Sequence, residues 1–205
     1  MPSLSTPQAD LTYPWPRVGD LVRSEVRRFL ATYSEFDPDG PSGCPAWSLR
    51  DVTVHLATTF ERFDRMLVQA RSGNLQPPFP RDELTRRNQE LIDGFRGDPA
   101  YVLCARMEDF LDRADSPDEL TAHLFGPISV GLQERFHLVE LTLHHDDLLS
   151  PTGQRYVPSP EVVDAVAPVW EKALVRLVFN ESLWDDDADP WDNVLRASGR
   201  PTPPR

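Results

Sequence analysis

Apolar side chains recur every three to four residues along most of this chain, which is the spacing of helices with one apolar face. The segment after Gly131 is dense in apolar residues and contains neither Pro nor Gly as far as Leu149, so it predicts one long helix. The predicted helices cover residues 17–33, 48–71, 81–94, 99–113, 131–149 and 160–180. Because clear strand alternation and internal repeats are absent from the sequence, this pattern predicts an all-α bundle.

Short polar and proline-containing signals mark the ends of these helices. Ser48 followed by Asp51 is a capping box, in which each side chain bonds the backbone N–H of the other residue, so a helix should start there. Pro168 lies inside the last predicted helix and should kink or break it. Residues 116–119 predict a short helix or an irregular segment, which ends before the Gly126-Pro127 pair.

The charge and hydropathy of the chain argue against two classes of partner. The chain has 205 residues and a formal net charge of −12, so phosphate backbones would repel it and no nucleic-acid partner is expected. No apolar run reaches the roughly 18 residues of a membrane span. Residues 1–16 also lack the basic start and apolar stretch of a signal peptide. These features predict a cytoplasmic protein of one ordinary domain, or of one domain with an appendage.

The cysteines and the choice of basic residues add limited information. Cys44 and Cys104 lie far apart and form no Cys-x-x-Cys motif, so neither a disulfide scaffold nor a zinc ribbon is expected. Cys104 falls in a helical pattern and is expected to be a small core residue. Cys44 precedes Pro45 in a loop, where an ordinary loop residue is favoured over a nucleophile. Only Lys172 is lysine among 21 basic residues, a bias typical of GC-rich genomes that suggests an actinobacterial source.

Three polar residues interrupt stripes that should otherwise pack inward: His55 in the second predicted helix, and Glu140 and His144 in the fifth. Glu140 and His144 are four residues apart, so their side chains lie one turn apart on one face. An imidazole or a carboxylate on an apolar stripe is costly unless it has a partner. Two histidines and one carboxylate are a standard ligand set for a divalent metal with an open coordination position. The sequence therefore suggests a metal site where the two helices meet, with a buried hydrogen-bonded cluster without metal as the alternative.

Other polar residues near this motif have smaller expected roles. Asp147 lies three residues past His144, where it can orient an imidazole from behind. His145 points about 100° away from His144 on the helix, so it is not expected as a ligand. His137 lies on a neighbouring face, where a surface position is favoured over a position in the pocket. His123 follows the irregular segment, and no role is assigned to it.

Two motifs, in this order and at this separation, resemble a known family. They are WSLRDVTVHL at residues 47–56 and ELTLHHDDL at residues 140–148. Together they are similar to the DinB-like superfamily of metal-dependent thiol S-transferases, and within it to the mycothiol-dependent maleylpyruvate isomerase branch. The connector PTGQRYVPSPEVVDAV and the terminal LRASGR also resemble that branch, so the likeness covers residues from about 17 to 200.

The resemblance implies a DinB-like four-helix bundle that holds one metal through three side chains. The ligand positions carry over to His55, Glu140 and His144. Most relatives outside the isomerase-like branch have histidine at the middle position, so Glu140 itself points to that branch. Zinc is the first choice of metal, and nickel and iron accept the same ligands. The resemblance also implies mycothiol, a low-molecular-weight thiol, as cofactor or cosubstrate, whose thiolate a metal would stabilise at neutral pH.

The implied activity is transfer of the thiol to a small electrophile, or isomerisation of the electrophile with the help of the thiol. Full maleylpyruvate isomerases carry a C-terminal α/β domain and a C-terminal catalytic arginine. Here little follows residue 180 and no arginine is assigned that role, which slightly favours conjugation or thiol release over isomerisation. A non-catalytic DinB-like module that binds a metal or a small molecule is the alternative, and a homodimer is left open. The predicted parts are an extended arm over 1–16, a metal-binding bundle over 17–150, and a short C-terminal extension over 151–205 whose helix and tail pack on the bundle.

Overall fold

The computed structural model describes residues 15–174 and 184–202, and it consists of helices with one small hairpin. The first four helices are α1 (Trp15–Tyr33), α2 (Leu49–Arg71), α3 (Leu84–Gly94) and α4 (Pro99–Arg113), with a 3₁₀ turn at Arg81–Glu83 before α3. They are followed by the strands β1 (Leu120–His123) and β2 (Gly126–Ser129) and by the helix α5 (Val130–Leu149). The chain continues through a 3₁₀ turn at Ser150–Thr152, helix α6 (Pro160–Val169), a π-helical turn at Trp170–Leu174 and helix α7 (Pro190–Ala197).

Four of these helices form the bundle. Helix α2 packs against α4, and α1 packs against α5, while contacts of α2 with α5 and of α1 with α4 close the arrangement. The space between them is filled by apolar side chains, whose removal from water is the main favourable contribution to folding. Large side chains that are fully buried there include Phe29, Phe60, Leu103, Phe110 and Leu138. The predicted all-α bundle is confirmed.

The two helices that carry the predicted ligands differ in how much of their surface is covered. Helix α2 begins with the predicted capping box, because the Asp51 N–H donates to the Ser48 hydroxyl and the Ser48 N–H donates to the Asp51 carboxylate. Helix α5 is covered by α1, α2 and α6. All of its residues are buried except Glu140 and the terminal Leu149. Within this central helix, Glu140 is therefore the only interior position that is more than slightly exposed.

A short hairpin precedes α5, where the sequence predicted a short helix or an irregular segment. Strands β1 and β2 pair antiparallel, with Leu120 opposite Ser129 and His123 opposite Gly126. Gly126 has a φ of 100°, which glycine adopts without the steric cost that a side chain would bring. The prediction was wrong here because strands of four residues are too short for alternation to stand out from the surrounding helical pattern.

The C-terminal elements pack on the bundle through α6, which contacts both α5 and α7. Pro168 interrupts the helix as predicted, because α6 ends at Val169 and the chain widens into the π-helical turn. The predicted continuation of this helix to residue 180 falls partly outside the described residues. Helix α7 is capped at its N-terminus by Asp189, whose carboxylate accepts the backbone N–H of Trp191.

The N-terminal boundary differs from the predicted one. Helix α1 begins at Trp15, two residues before the predicted start at Arg17, since Pro16 is tolerated in the first turn of a helix. Residues 1–14 of the predicted arm lie outside the described residues, and the division into arm, bundle and extension stays a prediction. Among the helices that the structure describes, none is long and apolar enough to cross a membrane.

Candidate metal centre

The three side chains predicted as metal ligands meet between α2 and α5. His55 comes from α2, and Glu140 and His144 come from α5. Glu140 Oε2 lies 3.2 Å from His55 Nε2 and 3.4 Å from His144 Nε2. One ligand atom from each residue lies within 4.8 Å of the other two. One carboxylate oxygen and two imidazole nitrogens therefore surround a common volume. Zinc, nickel and iron all accept this set of donor atoms.

Two of these three groups already have the protonation state of a metal ligand, whereas the third must lose a proton. Burial raises the pKa of the Glu140 carboxyl, but hydrogen bonds from His144 and His55 outweigh it and hold that pKa well below its ordinary value. Burial lowers the pKa of His55, so this ring is neutral at physiological pH. Burial also lowers the pKa of His144, but hydrogen bonds to Asp147, Cys44 and Glu140 outweigh it and raise that pKa well above its ordinary value. A cation at His144 Nε2 must displace a proton, so its binding should weaken as the pH falls.

Asp147 lies on the opposite side of the His144 ring from Glu140. Because an ionised carboxylate only accepts, His144 Nδ1 donates to Asp147 Oδ2 over 2.8 Å, which leaves Nε2 as the nitrogen that can bind a cation. Arg200 donates from Nε and Nη2 to the two oxygens of Asp147, over 2.9 and 2.6 Å. Burial raises the pKa of Asp147, but these bonds outweigh it and lower that pKa below its ordinary value. The sequence assigned no C-terminal arginine to the site, and the structure places Arg200 behind Asp147.

The loop before α2 reaches the same aspartate. The Gly43 N–H donates to the backbone carbonyl of Asp147 over 2.7 Å, and a Cβ on Gly43 would lie only 3.0 Å from Asp147 Cα. This close approach needs a residue without a side chain. It brings Cys44 Sγ to 3.1 Å from Asp147 Oδ2 and 3.6 Å from His144 Nδ1. Cys44 therefore belongs to the polar surroundings of His144, which no motif in the sequence signalled.

Cys44, His144 and Asp147 form a second group whose potential ligand atoms lie within 4.8 Å of one another. Arg200 already occupies both oxygens of Asp147, so a cation held there would face a guanidinium at close range. Like charges at such a distance repel strongly in a partly buried site. The group of His55, Glu140 and His144 is therefore the better cation site.

The other two histidines of α5 lie away from this centre. The His145 ring stacks on Tyr156 with 3.9 Å between centroids, and its Nε2 lies 2.8 Å from Thr32 Oγ1. His137 is fully buried and stacks on Phe60, with 3.9 Å between ring centroids. The prediction that His137 lies at the surface was wrong. Neighbouring elements pack against α5 on several sides, so the face that carries His137 is covered as well.

A cavity of about 340 Å³ opens onto Glu140 and His144. Its other described lining includes aromatic rings, arginines and one further histidine: Phe63, Phe125, Phe136, Trp170, Arg62, Arg81, Arg200 and His123. The hairpin carries His123 to this cavity, although the sequence assigned that residue no role. The Glu140 side chain is 36 % exposed, and it lines this cavity. A volume of this size suits a small molecule.

The comparison with known proteins identifies the family. The family model of the mycothiol maleylpyruvate isomerase N-terminal domain matches residues 20–149, which is more than half of the chain. The matched range contains the three predicted ligands and Asp147, and Arg200 lies beyond it. No curated protein and no solved structure matches the chain. The chain belongs to this family, and the predicted resemblance is confirmed.

Proposed function

We propose that this member of the mycothiol maleylpyruvate isomerase N-terminal domain family is a metal-dependent enzyme. It uses a low-molecular-weight thiol, mycothiol, for S-transfer to a small electrophile or for thiol-assisted isomerisation of that electrophile. The observation that carries the proposal is the position of the Glu140 carboxylate between two imidazole nitrogens, at the wall of a cavity large enough for a small molecule. Family membership supports the choice of thiol.

His55, Glu140 and His144 would hold the metal, with zinc as the first choice. A divalent metal bound there supplies a Lewis acid that lowers the pKa of a thiol, so that the nucleophilic thiolate exists at neutral pH. Two neutral imidazoles and one carboxylate leave a divalent ion with a net positive charge, which favours an anionic sulfur over a neutral one.

The surrounding residues orient the ligands and form the walls of the cavity. Asp147 holds the His144 ring in the tautomer that presents Nε2, and Arg200 holds Asp147 through two hydrogen bonds. Partners of this kind typically strengthen metal binding by fixing the ligand before the metal arrives. The aromatic walls of the cavity offer apolar surface to the carbon skeleton of an electrophile.

The first test is metal content, measured by plasma mass spectrometry on the purified protein and on His144→Ala. We expect close to one equivalent of zinc, nickel or iron in the native protein and almost none in the variant. His137→Phe is the matched control, because it alters a buried histidine of the same helix outside the proposed ligand set, and it should keep its metal. Absence of metal from the native protein after reconstitution would sink the catalytic proposal.

The second test is turnover of the metal-loaded protein with mycothiol and a panel of conjugated acids and epoxides. Thiol-dependent consumption of an electrophile, lost in His144→Ala and retained in His137→Phe, supports the enzyme. A protein that binds metal and consumes no electrophile would instead support the non-catalytic module.

A further inference from the structure

The cavity beside the proposed ligands contains a partly buried guanidinium that no carboxylate within ion-pair distance neutralises among the described residues. Arg62 lies on α2 two turns after His55 and lines this cavity. Its Nη1 donates to Asn88 Oδ1 over 2.6 Å, and its Nη2 donates to Thr59 Oγ1 over 3.1 Å. Both acceptors are neutral, and Nε is buried without a partner in the described part of the chain. Burial lowers the pKa of this guanidinium from its ordinary value, and only the charge of Glu140 opposes that effect.

The other two arginines of the described lining are engaged differently. Arg200 bonds both oxygens of Asp147, so its charge is already paired. Arg81 is exposed, and its guanidinium carbon lies 4.8 Å from the centre of the Phe125 ring. Among the described lining residues, Arg62 is therefore the buried cation with capacity for an anion from outside the chain.

His123 adds a neutral donor to the same cavity. The backbone N–H of Phe125 donates to His123 Nδ1 over 3.2 Å, so the neutral ring carries its proton on Nε2. Burial and the nearby charge of Arg62 lower the pKa of His123 to about 3, so the ring stays neutral at physiological pH. Phe136 stacks on this ring with 5.2 Å between centroids and fixes its plane. His123 can thus donate an N–H bond without bringing a second positive charge.

The remaining walls limit what else the ligand can carry. Phe63, Phe125, Phe136 and Trp170 present aromatic surface to the cavity, which favours a planar apolar body. A second carboxylate on the ligand would lie against these rings, because Arg200 is already paired with Asp147 and Arg81 is exposed. The described lining therefore suits one carboxylate, and not two.

We propose that Arg62 and His123 form a carboxylate subsite, and that the electrophile is a monocarboxylic acid whose planar, apolar body is about the size of one ring. This inference rests on the proposed function where it makes the ligand an electrophile, whereas the subsite binds a carboxylate with or without turnover. Arg62 acts as the residue that determines specificity, because it is the group that distinguishes an acid from a neutral ligand of the same shape.

The test compares trans-cinnamate with cinnamamide, which have the same shape and differ in charge, by calorimetric titration of the full zinc-loaded protein. We expect cinnamate to bind about tenfold or more tightly than cinnamamide, as for a charge-assisted hydrogen bond in a partly buried site. Arg62→Gln should abolish this preference. Arg65→Gln is the matched control, because Arg65 lies one turn further along α2, is exposed and pairs with Glu61, so the preference should remain. His123→Phe keeps the ring stack and removes the donor, so the preference should fall severalfold.

Equal affinity of the native protein for the acid and the amide would overturn the subsite, whether or not the variants fold. A preference that survives in Arg62→Gln and disappears in metal-free His144→Ala would also overturn it, because the carboxylate would then be bound by the metal. The expected result is that His144→Ala keeps the preference. If that result is found and the native protein shows no thiol-dependent turnover, the proposed function fails while the subsite stands.

Discussion

Two of the three buried histidines of helix α5, His137 and His144, have completely different surroundings. His144 contacts two carboxylates, those of Glu140 and Asp147, and its nitrogens lie 3.4 and 2.8 Å from their oxygens. His137, two turns earlier, is enclosed by aromatic rings, and neither of its nitrogens has a hydrogen-bond partner in the described part of the chain. Histidine in the same helix is thus a candidate metal ligand at position 144 and a ring packed among aromatic side chains at position 137.

The difference shows that burial of an imidazole does not by itself indicate a metal ligand. A cation site needs carboxylates that fix the tautomer and compensate the positive charge, and these surround His144. At His137, burial among the rings of Phe60, Phe63 and Phe110 keeps the imidazole neutral, and no carboxylate of the described residues bonds either of its nitrogens. We therefore expect metal to bind at the polar cluster of Glu140, His144 and Asp147. Acid should instead destabilise the folded protein through His137 in its cluster of aromatic rings.

The largest effect within this comparison is expected from Asp147→Asn. The variant removes the charge that orients His144, and loss of such a partner typically weakens metal binding about tenfold to a hundredfold. Competition with a chromophoric chelator at constant pH measures the affinity. Asp146→Asn is the matched control, since Asp146 pairs with Arg155 and does not contact His144. Equal zinc affinity in the native protein and Asp147→Asn would mean that Asp147 does not support the ligand.

Acid should destabilise the protein through His137, and His137→Phe should reduce that loss. Burial lowers the pKa of His137 well below its ordinary value, and the nearby charges of Glu140 and Arg62 act in opposite directions. The folded state therefore keeps this ring neutral, while the unfolded chain binds a proton below about pH 6.5. The free energy of unfolding therefore keeps its full value above that pH. Between pH 6.5 and pH 5, protonation of His137 in the unfolded chain lowers it by up to about 2 kcal/mol.

Urea unfolding in the presence of a chelator, at pH 7.5 and at pH 5, measures this contribution without interference from metal release. His123, whose pKa is lowered to about 3, and His145, whose pKa is lowered to about 4, contribute in the same direction to both proteins and cancel in the difference. An identical loss in the native protein and in His137→Phe would show that His137 titrates as it does in the unfolded chain.

The smallest effect concerns stability near neutral pH. Two buried nitrogens without partners carry a desolvation cost, so His137→Phe should raise the free energy of unfolding by about 1 kcal/mol at pH 7.5. Chemical denaturation checks the sign, with the zinc content measured in parallel to show that the polar cluster is intact. A loss of stability would indicate that the pocket formed by Phe60, Phe63 and Phe110 does not accept the larger ring.

Much of the helical framework could be predicted because its signals are local. The capping box of Ser48 and Asp51 acts across three residues, and the break at Pro168 follows from the missing N–H of one residue. The pairing of Glu140 with His144 is also local, since four residues along a helix bring two side chains onto one face. The hairpin was missed because each of its strands offers only four residues of pattern.

The amino-acid sequence alone determined where the main helices lie, which polar residues interrupt their apolar faces, and which family the motifs resemble. Only the tertiary structure decided what those residues meet. Gly43, Asp147 and Arg200 come together although they are far apart in the chain, and the hairpin carries His123 into the cavity of Arg62. The physical reason is that hydrogen-bond and helix signals act over a few residues, whereas proximity between distant segments depends on how complete helices pack and on which faces that packing covers.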